Sequence, residues 1–173
     1  MIVLYILLGA IALIFILAMM KPNTLNYNRS AVINAPAEKI FPLINDFHEW
    51  PKWSPWEKLD PEMKRTHSGA ASGKGAHYAW VGSKKVGEGS MEIVSTKAPN
   101  EIDIKIDFLK PWEAHNNIAF RLQPQGGGTH VDWRMTGPSN FMAKLFSVFV
   151  NMDKLVGKDF EKGLANLKAE AEK

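Results

Sequence analysis

The sequence predicts an α+β domain behind a single membrane-spanning helix, and three patterns carry that prediction. Residues 1–20, MIVLYILLGAIALIFILAMM, form one uncharged, apolar run, and all 21 Lys and Arg lie after it. From about Lys64 to Met135 apolar residues recur at every second position, the period of half-buried antiparallel strands. From Phe141 to Leu167 they recur at every third or fourth position, the period of a helix with one apolar side.

At about 1.5 Å per residue the first run reaches roughly 30 Å as a helix, one bilayer core. Its Ile, Val, Leu and Phe residues each favour insertion by about 0.3–0.6 kcal/mol near the helix centre, several kcal/mol together. A cleaved signal peptide is the competing reading. Such a peptide wants a basic n-region, a core of about 7–15 residues and a small-x-small cleavage site. This run has no Lys or Arg before it, is longer, and ends in Leu17-Ala18-Met19-Met20. An uncleaved anchor that meets the membrane through residues 2–20 is therefore expected. Lys21, Arg29 and Lys39 follow the span, so the positive-inside rule prefers a cytoplasmic C-terminal domain. Folded domains cross largely regardless of charge, which makes this a preference and not an assignment. Cysteine is absent, so neither disulfides nor thiol chemistry is required on either side.

A short polar linker, residues 21–26, leaves residues 27–173 as one domain, large enough to bury a core without staples. The net charge of +3 comes from basic and acidic residues scattered along the chain. The nearest approach to a basic cluster is Lys84-Lys85 in a turn-like stretch, which reads as a solvated loop. No nucleic-acid partner is expected.

Within the domain, a β-like stretch from Tyr27 to Ile33 leads into Asn34-Ala35-Pro36, and proline suits a first helical turn. The helix that follows carries Ile40, Phe41, Leu43 and Ile44 on one side, and Pro42 shortens or kinks it. In His48-Glu49-Trp50-Pro51-Lys52-Trp53-Ser54-Pro55-Trp56, two prolines forbid a regular helix or central strand. Two strands are expected around 75–80 and 86–94, joined through Gly82-Ser83-Lys84-Lys85. Glu101 to Phe108 alternates almost perfectly, and Gly126-Gly127-Gly128 reads as a hairpin loop between two further strands. The last helical stretch starts at Pro138-Ser139 and runs one apolar stripe from Phe141 through Leu145, Phe149, Met152, Val156, Phe160 and Leu164 to Leu167, with a break near Asn151.

That order of elements, with these words in it, resembles the START/Bet v 1-like (SRPBCC) superfamily, in particular its polyketide cyclase/dehydrase-like branch. The matching words are Ile33-Asn34-Ala35-Pro36, Trp50-Pro51-Lys52-Trp53-Ser54-Pro55-Trp56, Gly87-Glu88-Gly89, and Phe160-Glu161-Lys162-Gly163-Leu164-Ala165-Asn166-Leu167. The resemblance spans nearly all of the chain after the anchor. It implies a helix-grip fold, in which a curved antiparallel sheet of about six to seven strands wraps the C-terminal helix around an apolar cavity. Members of the superfamily hold lipids, sterols or polyketides there; some perform chemistry in the cavity, and others bind proteins. A fold shared by so many activities leaves function to be argued from the site.

Six Trp and eight Met are unusual material for an adaptable apolar pocket. Trp80, Met91, Trp133, Met135, Met142, Phe146 and Phe149 lie on stretches expected to face the space between sheet and helix; completing a solid core is the plainer reading of each. Trp53 and Trp56 are expected to cap the cavity mouth, to lie in the membrane interface, or to lock their loop against the sheet, and locking is preferred because exposed indoles make a large apolar patch. Glu88 is the leading acid/base candidate. Between two glycines it sits where a sheet accepts close approach or a bulge, and desolvation there suits it to proton transfer. A solvated or ion-paired strand carboxylate is the plainer reading. His77 and His115 have outward parity. The five histidines form no metal-ligand pattern, so no metal and no cofactor is expected.

The function expected from these residues and this resemblance is membrane-anchored binding of a hydrophobic small molecule or lipid. A cyclase/dehydratase-type enzyme using Glu88 or a histidine is the alternative, and an interaction or regulatory module with a filled core is the third.

Overall fold

Strict alternation in Glu101–Lys110 puts Ile102, Ile104 and Ile106 on one face, and the same parity in its neighbours builds a sheet with one greasy side. The computed structural model describes residues 1–173. An N-terminal helix α1 (Ile2–Met19) is followed by β1 (Thr24–Ile33) and α2 (Ala37–Asn45). Two 3-10 turns (Phe47–Lys52 and Trp56–Lys58) lead to β2 (Lys64–Gly69), β3 (Ala76–Val81), β4 (Glu88–Lys97), β5 (Glu101–Lys110), β6 (Ala114–Gln125) and β7 (Gly128–Pro138). Two helices, α3 (Phe141–Phe149) and α4 (Met152–Ala171), close the chain. All seven strands form one antiparallel sheet in the order β1-β7-β6-β5-β4-β3-β2.

The inner face of the sheet buries Ile93, Ile102, Ile104, Phe120, Leu122, Val131 and Trp133. Against it lie Phe160, Leu164 and Leu167 of α4 and Ile40, Phe41 and Ile44 of α2. This is the helix-grip arrangement, α+β, preceded by an apolar helix. Arg29 clamps α4 to the edge strand. Its Nε donates to Glu161 at 2.8 Å, its Nη2 meets Asp153 at 3.1 Å, and the guanidinium lies where a Cβ on Gly157 would sit. Gly157 is thus required for the helix to approach β1.

Local differences from the sequence reading have local causes. β1 starts three residues before Tyr27 because its pairing with β7 continues to Thr24↔Pro138, which leaves only residues 20–23 between α1 and the sheet. The two prolines of the Trp50–Trp56 stretch admit 3-10 turns, whose hydrogen bonds are shorter in span. The apolar stripe from Phe141 to Leu167 is not one face. The helix ends at Phe149, Val150 is extended, and Asn151 caps a second helix by accepting from Lys154 N at 2.9 Å. Only the α4 half faces the sheet. The α3 half turns away and packs on α1, with Phe15 and Phe141 stacked at 5.6 Å.

α1 is 18 residues, long and apolar enough to cross a membrane, and Ala18 alone of its residues is buried. Apart from the side that meets α3, where Ile14 is half-buried and Phe15 stacks on Phe141, the helix presents hydrocarbon outward.

Candidate functional site: a cavity between sheet and α4

The sheet and α4 do not close on each other completely. A cavity of about 280 Å³ remains, walled by 18 residues of which 14 are hydrophobic. Met91 and Trp80 come from β4 and β3, Ile106 and Phe108 from β5, Ile118 from β6, and Trp133 and Met135 from β7. Val156, Asp159 and Phe160 supply the α4 side, and Trp50, Ser54, Trp56, Glu57 and Met63 the end under the 3-10 turns.

Two glycines set the shape of this space. A Cβ on Gly89 would stand 2.4 Å from the Trp80 ring and 2.6 Å from the Asp107 carbonyl, so glycine lets the indole lie flat across the neighbouring strand. A Cβ on Gly163 would stand 2.7 Å from Trp133 Cζ3, so glycine lets α4 descend onto that indole. Trp133 then stacks on Phe160 with centroids 4.2 Å apart and planes within 8°. Trp56 meets both rings edge-on, at 5.8 and 6.1 Å.

The polar content of the wall is small and specific. Glu57, in the second 3-10 turn, is buried. Its Oε1 accepts from the Tyr78 hydroxyl at 2.6 Å and its Oε2 from Arg65 Nε at 2.7 Å. Arg65 also donates to the carbonyls of Glu57 and Met63, which fixes the turn to β2. Burial, and then the hydrogen bond to Glu57, hold the Tyr78 phenol well above its usual range, so it remains a donor at any physiological pH. Trp133 is fully buried, and its indole N–H has no partner. Leaving such a donor unpaired costs about 1–3 kcal/mol.

Trp80, Met91, Trp133, Met135 and Trp56 therefore lie together on the wall. Met142, Phe146 and Phe149 do not; they sit on α3, exposed, because the helix break at Val150 directs that half elsewhere. Trp53 is at the loop's inner side, fully buried and away from the cavity. Its indole donates to the Leu43 carbonyl at 2.8 Å, and its own carbonyl accepts from Asn166 of α4 at 2.9 Å, which locks the loop between α2 and α4. Glu88 shares the outward parity of Ser90 and Glu92 and pairs with Lys110 at 2.9 Å on the far face of the sheet. The desolvation that would suit it to proton transfer is not met there. His77 bonds to Ser68 outside the sheet, and none of the five histidines lines the cavity. His115, also outside, pairs with Asp107 at 2.6 Å and with Glu113, and both contacts raise its pKa. No group of three or more His, Asp or Glu is placed to hold a metal ion.

Sequence reasoning missed Trp50, Glu57 and Arg65. Tyr78 was legible from its shared parity with Trp80, but Glu57 lies in an irregular turn with no period to orient it.

A family model described as polyketide cyclase / dehydrase and lipid transport matches residues 24–172. The chain belongs to that family. No curated protein matches the sequence. Among solved structures, the polyketide cyclase/dehydrase fold of this chain is similar to protein CV1439 from Chromobacterium violaceum. The two share 15% identity with a TM-score of 0.60, over 88% of this chain and 99% of that one. The KanY protein has 15% identity and a TM-score of 0.65, over 88% and 100%. Ara h 8.0201 has 12% identity and a TM-score of 0.58, over 86% and 97%. At these identities the likeness is one of fold. In each pairing the part of this chain left uncovered is small.

Proposed function

We propose that this protein binds a hydrophobic small molecule or lipid in the cavity beneath α4, on a domain tethered to a membrane by α1. The observation that carries the reading is the 280 Å³ void with a hydrophobic wall. That size is at the lower end of small-molecule sites, which run roughly 300–1,000 Å³. It suits a compact guest or one acyl segment and is too small for a whole two-chain phospholipid. Burial at about 25 cal/mol per Å² of apolar surface drives binding, about 2.5 kcal/mol for each 100 Å². Tyr78 and Glu57, joined at 2.6 Å in the wall, would orient a guest that carries one polar end. The family's description, which includes lipid transport, supports the same reading. A filled-core interaction module would need a solid sheet–helix interface, and this one is hollow.

The test is native mass spectrometry of the full chain released from nanodiscs made from its own membranes. A stoichiometric hydrophobic adduct is expected. Met91→Trp, which fills the cavity, should lose it, while Val94→Trp on the outer face should keep it. A chain that carries no adduct and takes up neither palmitate nor a sterol would end the proposal.

A second reading, a cyclase- or dehydratase-type enzyme, is favoured by one observation. A phenol and a carboxylate stand 2.6 Å apart in the cavity wall. Conversion of the recovered guest by the wild-type chain, and not by Tyr78→Phe, would select it.

A further inference from the structure

One end of the sheet differs from the other. Register places the start of β1 beside the end of β7 at Thr24↔Pro138, and the end of β7 beside the start of β6 at Thr136↔Asn117. The β5–β6 turn follows at Phe108↔Ala114, and the β3–β4 turn at Val81↔Glu88 and Glu88↔Lys110. The exit of α1, the whole of α3 and both of these turns therefore share one end. Large apolar side chains are exposed there: Met142 (57%), Phe146 (55%) and Phe149 (68%) on α3, Leu109 (54%) at the end of β5 and Trp112 (74%) in the β5–β6 turn. The turns at the opposite end, residues 34–36, 70–75, 98–100 and 126–127, expose no large hydrophobic residue.

Met142, Phe146 and Phe149 follow one another at spacings of four and three, one stripe on the side of α3 that nothing covers. The level of this stripe is fixed by two contacts. Phe141 stacks on Phe15, one turn before α1 ends, and Lys144 Nζ bonds to the Asn23 side chain where the chain leaves α1. So α3 straddles the junction of span and domain, where a bilayer crossed by α1 has its interface. Lys21, Lys84 and Lys85 lie at the same end outside any salt bridge, while of the acids there Glu88 pairs with Lys110 and Glu113 with His115, which leaves a basic surplus suited to anionic headgroups. Tryptophan in a turn and a short apolar helix beside a span are the residues an interface favours.

We infer that this end of the domain is a membrane-docking surface, in which the Met142–Phe146–Phe149 stripe and the Leu109–Trp112 turn enter the same leaflet that α1 leaves. The occupant is the bilayer itself. The inference rests on α1 being a membrane span. It also gives the cavity a direction, because Lys85, Val86, Phe108 and Met135 wall its side nearest this end. A guest then passes between cavity and leaflet without crossing open water.

The absence of native cysteine makes the test clean. Single cysteines replace Leu13, Trp112, Phe149 or Gln125 in the full chain, each is labelled with the fluorophore NBD, and the protein is reconstituted in phosphatidylcholine/phosphatidylglycerol vesicles. Brominated lipid is then added as a contact quencher, and far-ultraviolet circular dichroism identifies any variant that fails to fold. Loss of fluorescence at 13, 112 and 149 with none at 125 is the expected result. Quenching at 13 alone overturns the docking surface and leaves the span intact. Absence of quenching at all four overturns the span reading and the surface with it. A blue-shifted but unquenched label at 149 overturns the surface too, because another copy of the chain would then cover the stripe.

Discussion

Tyr78 is where residue chemistry bears most directly on the cavity. Its hydroxyl donates at 2.6 Å to a buried carboxylate whose other oxygen is taken by Arg65. Tyr78→Phe removes a hydrogen bond to a charged group and should destabilise the fold by about 1.5–3 kcal/mol at neutral pH, measured by urea unfolding. The same substitution has a signature in pH. Burial raises the phenol pKa in the folded state above its ordinary value of 10.0, so the contribution is complete below about pH 10 and is lost as pH climbs toward the folded value. The stability gap between wild type and variant should therefore narrow in alkali. A gap that stays constant from pH 8 to 11 would show that the phenol is not shielded. Trp133 is different in kind, since its buried N–H costs stability with no partner to offset it.

At the scale of elements, the contact between α4 and the sheet is set by the glycines beneath the aromatic rings. Gly163→Ala adds one methyl group 2.7 Å from a ring that is fully buried and stacked. The overpacking costs about 1–3 kcal/mol against a helix-propensity gain of about 1 kcal/mol, so a lower urea midpoint is expected. A rise in the midpoint would show that Trp133 yields freely. Such contacts explain what was legible in the sequence and what was not. Alternation over Glu101–Phe108 and the recurrence of Val156, Phe160, Leu164 and Leu167 revealed the sheet and the gripping helix, because each repeats the same environment many times. Met142, Phe146 and Phe149 keep the same helical spacing while serving a different surface, and spacing cannot say which side of a two-residue break a stripe faces. Glu88 drew notice from its flanking glycines, yet Gly89 answers to a close approach by Trp80 and Gly87 to a positive φ beside the Lys110 carbonyl, not to a need of the carboxylate. Glu57, a buried acid of the cavity wall, lies in a turn without period.

For the molecule as a whole, the proposal that α1 anchors the domain is open to direct measurement. The full chain is expected to remain with membranes through alkaline carbonate extraction, with residues 1–20 present by intact mass. Leu8→Arg together with Leu13→Arg places two guanidinium groups in the span, each unfavourable by about 2.5–3.5 kcal/mol near the helix centre, and should release the protein. Loss of residues 1–20 from the mature wild-type chain would mark a signal peptide instead. The join between span and domain has a mechanical consequence. Four residues separate α1 from β1, whose ten residues are each paired with β7, and Arg29 fastens that same strand to α4. A tug from the lipid runs along the strand's axis, so every rung of the ladder shares the load together and none is peeled off singly. On the proposed anchoring, the tether pulls on the domain in shear, the direction in which a pair of strands resists most.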